Sequence, residues 1–147
     1  MKKVVATGGG FDPLHIGHIR LFNAAKRLGD TLVVILNSDD FLIRKKGYVF
    51  MTYHERWEVI VNLKSVDFVI ECIDKDQTVA KTLEMLKPDI FAKGGDKNID
   101  NIPESEREVC KRLGIKIVSL VGGRKVQSSS QLIENIIKHY EKRTHKN

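Results

Sequence analysis

The stretch Val4-Val5-Ala6-Thr7-Gly8-Gly9-Gly10-Phe11-Asp12-Pro13-Leu14-His15-Ile16-Gly17-His18 decides how this chain is read. Val4–Ala6 is an apolar run that predicts a first buried strand. Leu21, Phe22, Ala25 and Leu28 recur at 3.6-residue spacing and predict a helix. A glycine-rich turn joins the two. Strand, glycine turn and helix start together make a site for anionic phosphate, because the first backbone N–H groups of a helix have no partner within it and its dipole favours negative charge. His15 and His18 stand three apart on one side of that opening turn. Both can donate hydrogen bonds to phosphoryl oxygens, so the combination points to chemistry on a nucleoside triphosphate.

Outward from this stretch, strand and helix patterns alternate. Strands are predicted at Lys3–Thr7, Thr31–Leu36, Phe68–Cys72, Asp89–Ala92 and Lys116–Leu120. Most are short, continuous apolar runs, as expected where helices cover both faces of a sheet. Helices are predicted at Gly17–Leu28, Tyr53–Leu63, Val79–Leu86, Glu104–Leu113 and Ser129–Arg143. Gly29 reads as the residue that ends the first of them. Thr52 and Glu55 form a capping box before the second. Pro103 reads as a first helical residue and Gly114 as a stop. Leu132, Ile133, Ile136, Ile137 and Tyr140 form an apolar face on the last helix. The expected fold is α/β: one Rossmann-like domain over residues 1–147, with a five-stranded parallel sheet and helices on both faces. Ligands of such sheets bind beyond the carboxyl ends of the strands, where strand order reverses. Asn37–Met51 reads as the longest irregular connection. It carries Arg44-Lys45-Lys46-Gly47, a basic loop of the kind that often serves function.

Composition narrows the class. The 147 residues are 41% hydrophobic and 30% charged, an ordinary globular balance. No apolar run approaches the ~20 residues of a membrane helix. Met-Lys-Lys followed by three apolar residues is not a signal peptide, so a cytoplasmic location is expected. The net charge of +6 suits an anionic partner. The basic segment Lys138–Lys146 lacks the interleaved aromatics of a nucleic-acid surface, so no nucleic-acid partner is expected. Cys72 and Cys110 read as buried free thiols.

Two standard phosphate loops are absent. The dinucleotide fingerprint requires glycine where Pro13 stands, and no G-x-x-x-x-G-K-[ST] pattern occurs. Gly10-Phe11-Asp12 followed by His15-Ile16-Gly17-His18 instead resembles the signature of the cytidylyltransferase-like nucleotidyltransferases. Class I aminoacyl-tRNA synthetases share the His-Ile-Gly-His element but pair it with a Lys-Met-Ser-Lys-Ser loop, which this chain lacks. The resemblance extends over nearly the whole length. Lys45-Lys46-Gly47 stands where the family has a mobile lysine loop, and Glu55-Arg56 looks like its Glu-Arg. Asn37-Ser38-Asp39 and Lys93-Gly94-Gly95-Asp96 are similar to segments of the heptose-phosphate adenylyltransferases. Ser128-Ser129-Ser130 takes the place of Ser-Thr-Thr, with Val126 and Gln127 where a glycine and an apolar residue usually precede it. The arginine common upstream is displaced to Arg124.

The resemblance implies a reaction in which ATP or CTP and a phosphorylated small molecule give a nucleotide conjugate and pyrophosphate. A sugar or polyol phosphate is the first expectation for the acceptor. An FMN adenylyltransferase of the archaeal type and a non-catalytic nucleotide-binding module are the alternatives. It further implies roles for residues. His15, His18 and Lys46 are the catalytic candidates, with Lys45 second to Lys46. Gly9, Gly10, Phe11, Asp12 and Gly17 are expected around the nucleotide phosphates, with Gly17 admitting a ligand close to the backbone. Asp12 is a candidate either for ordering the turn or for binding magnesium. Arg56 is expected on a phosphate, Gly94, Gly95 and Asp96 near ribose or base, and Ser128, Ser129 and Ser130 on the β- and γ-phosphates. Mg²⁺ is expected through the triphosphate rather than through a protein metal site. A homodimer is expected from the family.

Overall fold

The computed structural model describes residues 2–95 and 98–146. The sheet contains β1 (Val4–Gly9), β2 (Thr31–Leu36), β3 (Phe68–Glu71), β4 (Ile90–Gly94) and β5 (Lys116–Val121). All pairings are parallel and the order is β3-β2-β1-β4-β5. The helices are α1 (Ile16–Lys26), α2 (Asp39–Lys46), α3 (Tyr53–Val61), α4 (Ala80–Leu86), α5 (Glu104–Leu113) and α6 (Ser129–Thr144). The expected five-stranded parallel sheet is therefore present, and its strand order reverses between β1 and β4.

Two apolar layers explain why the sheet is covered on both faces. Val5, Leu32, Val34, Leu36, Ile90 and Ala92 pack with Phe22 and Ala25 of α1 and Ile60 of α3. Ala6, Ile35 and Phe91 pack on the other face with Leu83 of α4 and Val109 and Cys110 of α5. The strand residues alternate between the layers, as a pleated strand requires. Full burial of a side chain such as Phe22 or Phe91 is worth about 1.5–3 kcal/mol in transfer free energy, so these layers fix which ends of the strands face the site. Cys72 and Cys110 are free and buried. Burial and the Glu106 carboxylate push the Cys110 thiol up to about 11.

Three local readings change. Residues 37–51 are not an irregular connection: α2 occupies Asp39–Lys46. Ser38 caps it by accepting the Phe41 N–H at 3.1 Å, acids stand in its first turn, and Gly47 closes it at φ 85°. Only Phe41 and Leu42 are buried along it, too few for an apolar period to show. Gly29 is not a left-handed stop, since Arg27 caps α1. A Cβ at Gly29 would lie 2.9 Å from the Lys3 carbonyl oxygen, so glycine is needed there for close approach to the start of β1. Pro103 caps α5 from outside rather than starting it. The Thr52–Glu55 capping box is present.

Candidate functional site

β1 carries the chain to the carboxyl edge of the sheet, and the turn at Gly10–Leu14 returns it into α1. His15 is the N-cap of α1. Its Nδ1 accepts the Gly17 N–H at 3.0 Å, while the His15 N–H donates to Nδ1 of His18 at 3.3 Å. The two rings stack with centroids 3.7 Å apart. The two histidines thus form their own capping box. Accepting at Nδ1 leaves the ring proton on Nε2 in both residues. Phe11 sets the edge of its ring against His18 at 4.9 Å, holding that imidazole from below. Burial, and then the neighbouring His15, hold His18 down to about 3. Burial, and then the charge of Lys125, lower His15. Both histidines are therefore neutral Nε2–H donors at physiological pH.

Gly17 has a further role beside the expected one. A Cβ at that position would lie 2.9 Å from the His15 ring. The space that the missing side chain leaves is occupied by the His15 imidazole folding back onto the Gly17 N–H. The glycine of His-Ile-Gly-His thus serves the ring geometry of the pair.

The pair opens onto a cavity of about 650 Å³ at the carboxyl edge of the sheet. Gly9, Gly10, Phe11, His15, Gly17, His18, Gly94, Gly95, Ser128 and Ser129 line it, so most of the expected residues are brought together. Arg20, Lys93, Arg124 and Lys125 line it as well, and no carboxylate does among the described residues. Lys93 is paired with the Glu106 carboxylate at 3.3 Å, which leaves Arg20, Arg124 and Lys125 to focus potential for a polyphosphate. Ser128 caps α6 by accepting the Gln131 N–H at 3.3 Å, and the Ser129 hydroxyl donates to the Pro13 carbonyl at 2.8 Å. The second of these bonds seats the start of α6 beside the start of α1, so the positive ends of two helices approach one cavity.

Other expected residues are placed elsewhere. Asp96 lies outside the described residues. Ser130 does not line the cavity. Lys45 stands 5.8 Å from the Phe41 ring and outside the lining. Lys46 is also outside it. Its ammonium donates to the Asp12 carbonyl at 2.7 Å, pairs with the Asp12 carboxylate at 2.9 Å and stands 4.6 Å over the Tyr48 ring. The Asp12 carboxylate also accepts the Phe50 and Met51 N–H groups, at 2.8 and 2.5 Å. Asp12 therefore orders the turn. With two N–H donors and an ammonium on its oxygens, it does not fit the magnesium role.

Arg56 is not a phosphate contact. The residue is 0% exposed. Its guanidinium donates to the carbonyls of Met51, Gly10 and Asn37, at 2.8–2.9 Å, and to the Asp39 carboxylate at 2.7 Å. It braces the glycine turn from beneath. Arg20, Lys93 and Lys125 were not singled out as site residues from sequence. The two glycines before Arg124, both with positive φ, are the signal that marked this turn.

The family model described as cytidylyltransferase-like matches residues 6–136. Curated relatives include the bifunctional protein HldE of Citrifermentans bemidjiense, 40% identical over 95% of this chain, and that of Geobacter sulfurreducens, 37% identical over 95%. The chain spans about 28% of the length of those proteins. Among solved structures, the lipopolysaccharide core biosynthesis protein of Thermoplasma volcanium GSS1 superposes with TM-score 0.68 at 30% identity, covering 87% of this chain and 99% of that one. The pantoate-beta-alanine ligase of Francisella tularensis, at 16% identity and TM-score 0.60 over 86% of this chain and 60% of that one, shares the fold. With a family model spanning most of its length and a His-Ile-Gly-His pair built as a helix cap over a basic cavity, the chain belongs to the cytidylyltransferase-like family.

Proposed function

We propose that the chain transfers a nucleotidyl group, AMP or CMP, from a nucleoside triphosphate to a phosphorylated small molecule and releases pyrophosphate. The observation that carries this reading is the neutral histidine pair, with both Nδ1 atoms engaged and both Nε2–H groups left as donors beside a cavity whose charged lining, among the described residues, is cationic. The names of the relatives, HldE and a lipopolysaccharide core biosynthesis protein, together with the likeness of Lys93–Gly95 and Asn37–Asp39 to heptose-phosphate adenylyltransferases, support a sugar phosphate as acceptor.

The chemistry follows from charge. An acceptor phosphate is already an anionic nucleophile, so no general base is required. One of its oxygens forms a bond to the α-phosphorus as the bond to the bridging oxygen of pyrophosphate breaks, with the two in line. Catalysis is then positioning and electrostatic stabilisation. His15 and His18 donate to oxygens on the α-phosphorus. The starts of α1 and α6, with Arg124 and Lys125, hold the β- and γ-phosphates. Lys46 exchanges Asp12 for phosphate oxygen when the nucleotide arrives. The cavity lining offers magnesium no carboxylate among the described residues, and Asp12 is occupied. Magnesium, when bound, would be held chiefly by the nucleotide's own phosphates and would neutralise part of their charge.

Pyrophosphate release with Mg²⁺ tests this, crossing ATP, CTP, GTP and UTP against heptose 1-phosphate, other sugar 1-phosphates, glycerol 3-phosphate and FMN. The expected result is release with ATP or CTP and a sugar or polyol phosphate. Release with FMN alone would convert the reading to a flavin adenylyltransferase. Nucleotide binding by calorimetry with no release anywhere would identify a non-catalytic binder.

A further inference from the structure

Lys93 lies outside both the β1–α1 turn and the start of α6, yet it lines the cavity. Its neighbours show which way it points. Ile90 and Ala92 belong to the layer under α1, and Phe91 to the layer under α4 and α5. The β4–β5 register shifts between Ala92 and Gly94, so contact rather than alternation places Lys93: its ammonium stands 4.9 Å from the Phe91 ring centroid. The same ammonium is 3.3 Å from Oε1 of Glu106, with side-chain exposures of 16% and 3%. Glu106 comes from the first turn of α5, and its other oxygen accepts the Val79 N–H at 3.2 Å, just before α4. A buried carboxylate anchored where two helices begin thus holds a lysine at the cavity wall.

Such a pair is a weak device for stability. Removing two charges from water costs about as much as their attraction returns, and 3.3 Å is long for a charge-assisted bond. What the pair accomplishes is placement. The ammonium has three donors, of which Glu106 engages one. Its neighbours on β4, Ala92 and Gly94, also line the cavity and bring no charge. The start of α1 and the turn before α6 bring the histidines, Arg124 and Lys125 to the same cavity. In-line displacement needs the entering and leaving oxygens on opposite sides of phosphorus. With pyrophosphate leaving toward α6, the entering group arrives from the β4 side.

We propose that Lys93 receives the phosphate monoester of the acceptor, and that Glu106 is the residue that positions it; this rests on the nucleotidyl-transfer reading. Lys93 also offsets the repulsion between that phosphate and the triphosphate.

The test uses Lys93→Met, Lys93→Arg and Glu106→Gln, with Lys93→Gln in reserve if the methionine variant does not fold. Inorganic phosphate is titrated, by ³¹P NMR, into protein saturated with α,β-methylene-ATP and Mg²⁺, with the CTP analogue run in parallel. Phosphate binding is expected to weaken at least about tenfold in Lys93→Met, by a smaller factor in Glu106→Gln, and to recover in Lys93→Arg. Analogue affinity is expected to stay within about twofold throughout. A lower Tm with phosphate affinity unchanged would make the pair a structural brace and overturn the proposal. Lost analogue affinity would assign Lys93 to the nucleotide and overturn it too, as would a loaded wild type that binds no phosphate. If neither analogue binds wild type, it is the nucleotidyl-transfer reading that fails. Phosphate titrated into the protein alone then decides whether Lys93 is an anion site.

Discussion

The β1–α1 turn lines the cavity and the α2–α3 segment is tied to that turn from outside it, and the two are built to opposite principles. In the first, Nδ1 of His15 accepts the Gly17 N–H and Nδ1 of His18 accepts the His15 N–H, all within four residues that border the cavity. In the second, Lys46 is held by Asp12 outside the cavity, and the loop that follows hangs from the same carboxylate. One region is preformed and the other must exchange a partner to act. Preformed donors stabilise a transition state without reorganisation. A latched lysine responds to the arrival of charge.

The largest effect is expected where the two regions are tied together. Arg56→Ala removes a buried cation that serves three carbonyls and Asp39. Breaking one side of a buried pair costs about 3–5 kcal/mol, to be read from urea unfolding. A loss under ~1 kcal/mol would mean that the turn does not depend on this brace. Next, His18→Ala should lower kcat by roughly 10²–10³-fold, the scale for one preorganised donor, with circular dichroism unchanged. Near-normal turnover would remove His18 from the catalytic set. Lys46→Ala should lower kcat by about 10–100-fold, since a bond to a charged group is worth about 1.5–3 kcal/mol. A change confined to KM would show instead that Lys46 contributes equally to ground and transition states. Ser128→Ala should cost about 1 kcal/mol of stability through the lost cap of α6, measured by thermal unfolding.

The contrast also explains what the sequence showed. The sheet, five of the helices and the histidine pair were legible because each depends on local order: apolar runs, caps and a three-residue spacing. α2 was not, because its fifteen-residue segment has two buried apolar side chains, although Ser38, the acids after it and Gly47 mark its ends. Arg56 was misread because Glu-Arg on a helix looks the same whether the arginine faces solvent or a buried ring of carbonyls. Its partners lie up to 46 residues away. The Lys93–Glu106 pair depends on which face of β4 a side chain takes, and only the packed sheet settles that.

Acid stability also bears on the histidine pair. Native His18 stays neutral to about 3 and His15 is also lowered, whereas an unfolded histidine titrates near 6.5. Between these values the unfolded chain binds more protons than the native one, so stability falls as pH drops from 6.5 toward 3. Above 6.5 the pair adds no slope. His18→Ala should therefore lose less stability than wild type over that window, while Lys46→Ala should follow wild type. Identical acid profiles for His18→Ala and wild type would contradict a depressed His18.

The most direct measurement is ¹⁵N NMR of the histidine ring nitrogens at pH 7 and pH 5. Both His15 and His18 are predicted to show neutral rings with the proton on Nε2 at pH 7, and His18 is predicted to remain so at pH 5. A His18 imidazolium at either pH, or a proton on Nδ1 of either ring, would contradict a preformed pair of neutral donors.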